Sequence, residues 1–307
     1  ILSHCKLHQF PLINRRVSNY PSCYFGTNEA ASHRGEKSTG HCAVIVSRGD
    51  RSFLTHIGCL EDFRGSHILT HQTDKNGTPA PQWVHIAGYF NMRGFWNGEL
   101  ACKLEEMRKT NQRLIISLVP QQDATDKWDG GLLDVLQYVD FLILNEVEAK
   151  SITKYQRGEN DDKDEVKLFG HIAKFFCNSP QTCIIMTRGK KGAVGFIERE
   201  IIHQRTSPEI NNPTDPTGAG DAFAAGYVYG YLSHLTENED KGDDCMITKD
   251  AVKAAMQWAC AVGTCSVNQQ GASVPSNKES IERTLRTIIQ HNDEAKRRRV
   301  ELGREGA

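Results

Sequence analysis

The sequence predicts an α/β domain, a mostly parallel central sheet with helices on both faces, giving three layers. Three observations predict it. Short apolar runs alternate with helical patterns, as in VHIAG (84–88), NGELACKLEEMRKT (97–110) and RLIISLV (113–119). The runs are nearly continuous instead of alternating, which marks strands buried on both faces. Small or polar residues close them, and in such sheets ligands sit beyond the carboxyl ends of the strands.

Taken in order, residues 1–40 carry neither a helical nor a strand period and are expected to be irregular. HCAVIVSRGDRSFLTHIG (41–58) holds two β-rich runs around Arg48-Gly49-Asp50, a hairpin signal. After the strand at 84–88, the helix over 97–110 places Leu100, Leu104 and Met107 on one face. A strand over 113–119 follows, then a helix over GGLLDVLQYV (130–139) and the strand FLILN, closing at Asn145. EVEAKSIT (146–153) opens a helix, YQRGENDDKDE (155–165) is an acidic loop, and VKLFGHIAKFFC (166–177) is helical. TCIIMT (182–187) is a strand, and AVGFIE with EIIHQR (193–205) forms a second hairpin. Helices are predicted over 218–232, 249–267 and 280–290, and the charged tail 291–307 is expected to fray.

The totals bound the function. The 307 residues suffice for one large domain or two small ones. With 37 basic against 38 acidic residues, the net charge of −1 argues against a nucleic-acid partner. Ten cysteines without a CxxC pair predict reduced, mostly buried thiols. No apolar stretch approaches the ~20 residues of a membrane span, and no leader pattern is visible. An intracellular, cytoplasmic protein without a membrane partner is therefore expected. The chain begins with Ile rather than Met, so its native start is expected upstream.

The chemistry concentrates in TDPTGAGDAFAAGY (214–227). Pro213 and Pro216 disfavour helix just before them. Gly218 and Gly220 permit tight geometry and close approach of a ligand. A helix then starts, and its first turn leaves backbone N–H groups without partners. With no side chains in the way, the amides around Gly218, Ala219 and Gly220 can converge on an anion. Asp221 stands beside them, placed to take a proton from an attacking hydroxyl. Phosphoryl transfer needs those two things, donors where charge gathers and a base for the alcohol. The plainer alternative is a helix start with an acid in its first turn.

DPTGAGDAFAAGY resembles the D-T-x-G-A-G-D signature of the ribokinase-like (PfkB) carbohydrate kinases. The resemblance implies a ribokinase-like three-layer domain over 41–290, with the hairpin at about 41–58 as the remnant of a small β lid. It implies Asp221 as catalytic base and the amides of Gly218, Ala219 and Gly220 as the anion hole. Pro216 stands where the family has Thr or Cys, which implies weaker anchoring there. NEVEAKSI (145–152) looks like the family's N-x-x-E motif, giving Asn145 and Glu148 a part in the magnesium and phosphate region, largely through water. A helix cap with a capping box explains the same two residues. TRGKKGAVGF (187–196) is similar to the T-x-G-x-x-G nucleotide turn, with Thr187, Gly189 and Gly192. Ala259 and Gly271 are implied beside the adenine, although close packing explains the small residues equally well. Asp215, Thr217 and Ser266 match or neighbour positions that hold a monovalent cation such as K⁺ in the family. ATP and Mg²⁺ are the implied cofactors, and a sugar or related alcohol the implied substrate. An oligomer joined through the lid is also expected.

The family's first strand with its sugar-binding Asp, and the G-G-N segment after it, are not found. The resemblance therefore implies an atypical or truncated front end. A carboxylate is expected where Val119 stands, and Asn91 and Asp123 are the substrate candidates that remain. Two alternatives stay open, a catalytically impaired nucleotide-binding protein of this fold and a nucleoside kinase.

Overall fold

The computed structural model describes residues 40–47, 50–68, 81–154, 165–176, 182–197, 200–204, 213–237, 247–271 and 277–305. The irregular segment expected over 1–40, all but its last residue, and nearly all of the acidic loop at 155–165 lie outside them. The chain divides into two compact units, Ile1–Asp140 and Phe141–Ala307.

In the first unit, β1 (His41–Ser47) and β2 (Asp50–His56) form a separate two-stranded antiparallel sheet. The register runs from His41 opposite His56 to Ser47 opposite Asp50, so the lid-like hairpin is present. Ile45, Phe53 and Leu54 project from it into solvent. β3 (Trp83–Ala87) runs parallel to β4 (Ile115–Val119), with α1 (Glu99–Thr110) as the crossover. A parallel pair needs such a crossover, because a tight turn cannot reverse the chain twice. α1 buries Leu100, Leu104 and Met107, the predicted face, together with Ala101. Arg108, near its end, binds the Leu114 and Tyr138 carbonyls and the Asp140 carboxylate. Asp140 in turn accepts from the Ile116 N–H at 2.7 Å, tying helix to strand.

The helix expected over 130–139 is only α2 (Leu132–Leu136). Gly130 and Gly131 both take positive φ, which delays the helix, and a turn at 137–138 ends it. The short 3₁₀ turns Tyr89–Asn91 and Arg93–Phe95 after β3 carry no apolar period, so the pattern could not announce them.

In the second unit, β5 (Phe141–Asn145) pairs in parallel with β6 (Cys183–Thr187), with α3 (Glu146–Thr153) and α4 (Glu165–Phe175) between them. β7 (Ala193–Ile197) and β8 (Glu200–Gln204) are the expected hairpin, β7 antiparallel to both neighbours. Residues 141–144, 183–186 and 193–197 are all buried, as continuous apolar runs require. The sheet order from β3 to β8 follows the chain, six strands in a mostly parallel α/β arrangement.

α5 (Ala219–Glu237) and α6 (Lys249–Ser266) pack closely. A Cβ on Gly230 would lie 2.5 Å from the Trp258 Cβ, and one on Gly226 2.9 Å from Val262. The last helix, α7 (Lys278–Glu305), runs 28 residues, through the stretch expected to fray. Its Glu, Lys and Arg residues are good helix formers, and Ile288 anchors it in full burial. Six described cysteines are free. Only Cys183 and Cys260 of these are buried, while Cys59 and Cys102 are exposed, so the thiols are less buried than their apolar neighbourhoods suggested.

Candidate active site

The second unit brings most of the predicted residues to the carboxyl ends of its strands and the start of α5. The loop before α5 is held by Asp215. One carboxylate oxygen accepts from the Thr217 N–H at 2.8 Å, the other from the Gly271 N–H at 3.0 Å. The Thr214 and Asp215 amides donate to the Val267 carbonyl at 2.8 and 3.1 Å. Asp215 thus fastens the loop at 214–217 to the turn that follows α6. Of the residues matched to a monovalent cation, Thr217 and Ser266 are buried, Ser266 directly before the Val267 that the loop amides reach, and Asp215 already serves two backbone donors.

Gly218 takes φ +79, which a side chain disfavours, and this bend starts the helix. The Ala219 N–H turns back to the Pro216 carbonyl at 3.2 Å, so of the three anion-hole amides it is already engaged. Pro216 therefore contributes an acceptor here, although it lacks the donor of the usual residue. The Gly220 N–H has no hydrogen-bond partner among the described residues. A Cβ built on Gly220 meets nothing within 4 Å, in contrast to Gly226 and Gly230 in the same helix. Asp221 is exposed in the first turn.

Asn145 and Glu148 form a reciprocal capping box. The Asn145 side chain accepts from the Glu148 N–H at 2.8 Å, and the Glu148 carboxylate accepts from the Asn145 N–H at 2.9 Å. The structural reading of N-x-x-E is thus realised. The carboxylate is also buried, at 8% exposure for the residue. Burial raises its pKa, the Asn145 N–H opposes this, and the charge of Asp221 raises it further. A cap on a surface helix has no need of that environment.

Asn145 and Thr187 stand abreast at the ends of β5 and β6. The turn beyond Thr187 is closed by Arg188 N–H to the Gly192 carbonyl at 2.8 Å. Gly192 takes φ +87 with ψ −139, and Gly189 is exposed with nothing within 4 Å of an added Cβ. Glu146 and Arg188, which the motifs did not single out, follow Asn145 and Thr187 directly. Arg188 Nε lies 3.8 Å from Glu146 Oε2 with its side chain 6% exposed. Burial raises the Glu146 pKa, but Lys150, Arg188 and Lys191 outweigh it and hold the carboxylate below its usual value. Sequence gave no signal for this, since a basic residue after a strand reads as a surface residue.

Ala259 is fully buried, its Cα 3.0 Å from where a Gly226 Cβ would stand. Helix packing accounts for it, and this geometry lends no support to contact with adenine. Gly271 is half-buried, with open space at its Cα. In the first unit, Asn91 donates to the Gln121 side chain at 3.0 Å at the ends of β3 and β4. Asp123 is 2% exposed and accepts from the Thr125 N–H and hydroxyl and the Trp128 N–H at 2.8–2.9 Å. Burial opposes its ionisation, yet these donors hold its pKa below the usual carboxylate value. Asp123 therefore shapes its own loop, a role that explains it without a substrate.

Among the described residues no group of three or more His, Cys, Asp or Glu is placed to hold a metal, and no helix is long and apolar enough to cross a membrane.

A helix start presenting small residues and an exposed acid, beside a capped helix with a buried acid, on a mostly parallel sheet, agrees with the ribokinase-like class of fold. Residues 30–279 match the model of the pfkB family carbohydrate kinases, and the chain belongs to that family. It is 26% identical over 249 residues to adenosine kinase of Saccharomyces cerevisiae, covering 79% of this chain and 65% of that protein. To adenosine kinase of Schizophyllum commune it is 28% identical over 218 residues, 66% of this chain and 59% of the other. The chain thus spans less than two thirds of the length of these relatives. Among solved structures, ribokinase from Giardia lamblia superposes with a TM-score of 0.67 at 19% identity, covering 87% of this chain and 80% of that one.

Proposed function

We propose that the chain catalyses ATP-dependent phosphoryl transfer to a hydroxyl of a nucleoside or a related sugar compound. The observation that carries this reading is the contrast among the glycines of α5. Gly226 and Gly230 are needed for packing, whereas Gly220 faces open space beside the exposed carboxylate of Asp221. Packing does not explain the small residue there, and room for an incoming group does.

In this reading the transferring phosphoryl group lies over the start of α5. Its oxygens accept from the Gly218 and Gly220 amides, and the helix N-terminus favours their charge. Ala219 joins by sharing the N–H now directed at Pro216. Asp221 accepts the hydroxyl proton as the substrate oxygen bonds to phosphorus and the bond to the ADP oxygen breaks. Thr187, Gly189, Gly192 and Gly271 border the nucleotide.

The donor set suits Mg²⁺. The charge of Asp221 adds to burial in disfavouring ionisation of Glu148, and a divalent cation relieves that conflict. Glu148 would hold it largely through water, since Mg²⁺ retains several waters. When bound, the ion neutralises phosphate charge. A K⁺ ion would engage Asp215, with Thr217 two residues on and Ser266 at the end of α6, next to the Val267 that the loop amides reach.

The two relatives described above, adenosine kinases, weigh toward a nucleoside over the free sugar that the motifs favoured. The exposed Ile45, Phe53 and Leu54 of the hairpin support pairing of two copies through the lid. The free cysteines suit a reducing, intracellular setting.

The test is ADP release from MgATP with adenosine, other nucleosides, ribose and fructose offered in parallel. Turnover on one of them names the substrate class. Thermal stabilisation by MgATP with turnover on none would favour the impaired nucleotide-binding reading.

A further inference from the structure

Arg188 is the observation that the proposed mechanism leaves unused. A guanidinium is costly to bury unless it is paired. The side chain of this one is 6% exposed, although Gly189, Lys190 and Lys191 after it are exposed. Its surroundings are specific. The Phe169 ring centroid lies 5.1 Å from the guanidinium carbon, a cation–π contact. Glu146 Oε2 lies 3.8 Å from Nε, while the other oxygen of that carboxylate accepts from Lys150 at 2.6 Å. Glu146 is the first residue of α3, directly after the cap Asn145. Arg188 directly follows Thr187 and closes its turn through the 2.8 Å bond to Gly192. The register of β5 and β6 places Asn145 beside Thr187, so the two next residues meet.

We propose that Arg188 is a positioning residue that, through Glu146, locks the Asn145–Glu148 helix start to the Thr187–Gly192 turn, so that the metal side and the nucleotide side of the site hold one relative placement. The inference rests on the phosphoryl-transfer reading. Neither residue touches the reacting atoms. Their effect falls on how much a bound metal improves nucleotide binding, because that gain requires both sides to be in register.

The test is calorimetric titration of the full chain with ADP, with and without Mg²⁺, for wild type, Arg188→Met, Glu146→Gln, the double variant and Arg188→Lys. The ratio of the two affinities is the readout, and it needs no turnover. Each single variant is expected to lower the MgADP advantage about tenfold. The double variant should do no more than either one, and Arg188→Lys should recover part of the loss. Should Arg188→Met fail to fold, Glu146→Gln carries the same test. Wild type that binds MgADP while Glu146→Gln keeps the full metal advantage would overturn the positioning role alone. Wild type that does not bind MgADP would overturn the phosphoryl-transfer reading, and this inference with it.

Discussion

Glu148 concentrates the physics of the site in one side chain. Its pKa is raised in the folded protein by burial first and by Asp221 as well. A carboxyl group raised in the folded state binds more protons there than in the unfolded chain. Stability then falls as pH rises from the ordinary carboxylate value, 4.5, through the raised one. Metal-free protein should therefore lose stability across that window, and Mg²⁺ should restore it at neutral pH. Glu148→Gln can keep the bond from the Asn145 N–H while losing the charge. It should flatten the pH dependence of urea unfolding and abolish the Mg²⁺ effect. A variant with the wild-type pH slope would mean that the buried charge lies elsewhere. Asn145 and Glu148 were legible from their spacing, because a capping box and N-x-x-E read alike. The burial of the Glu148 carboxylate was not, since it depends on what α3 packs against.

At the scale of elements, α5 puts two glycine roles in one helix. Gly230→Ala would set a methyl 2.5 Å from the Trp258 Cβ and force α5 from α6. Overpacking of this kind costs about 1–3 kcal/mol, visible as a lower melting temperature. Gly220→Ala meets open space, so stability should hold or rise by roughly 0.5–1 kcal/mol as a flexible helix residue is replaced. Turnover should nevertheless fall, because the methyl occupies the approach to the amides. Equal melting losses in the two variants would remove the distinction on which the site rests. The apolar runs of β5, β6 and β7 announced themselves, as did the buried face of α1. The extent of α7 did not, because its charged second half shows no apolar period. Nor did the clasp between Asp215 and Gly271, whose partners stand 56 residues apart in sequence. A contact of that range is fixed by the tertiary fold and leaves no local pattern.

For the molecule as a whole, the joint order of the motifs carried the family, and the match over residues 30–279 agrees with it. The substrate was less legible. In the proposed function the motif residues serve the phosphoryl group and not the compound that accepts it, so they say little about that compound. Asp123, a substrate candidate by position, is consumed by its own loop, and Asn91 by Gln121. The central claim is that Asp221 takes the proton of the accepting hydroxyl. It is tested most directly by Asp221→Asn, compared with wild type for ADP release on whichever compound is turned over, with melting temperatures measured alongside. Turnover lower by about 10²–10⁴-fold in a variant that melts like wild type is the predicted result. Undiminished turnover in that variant would contradict the account.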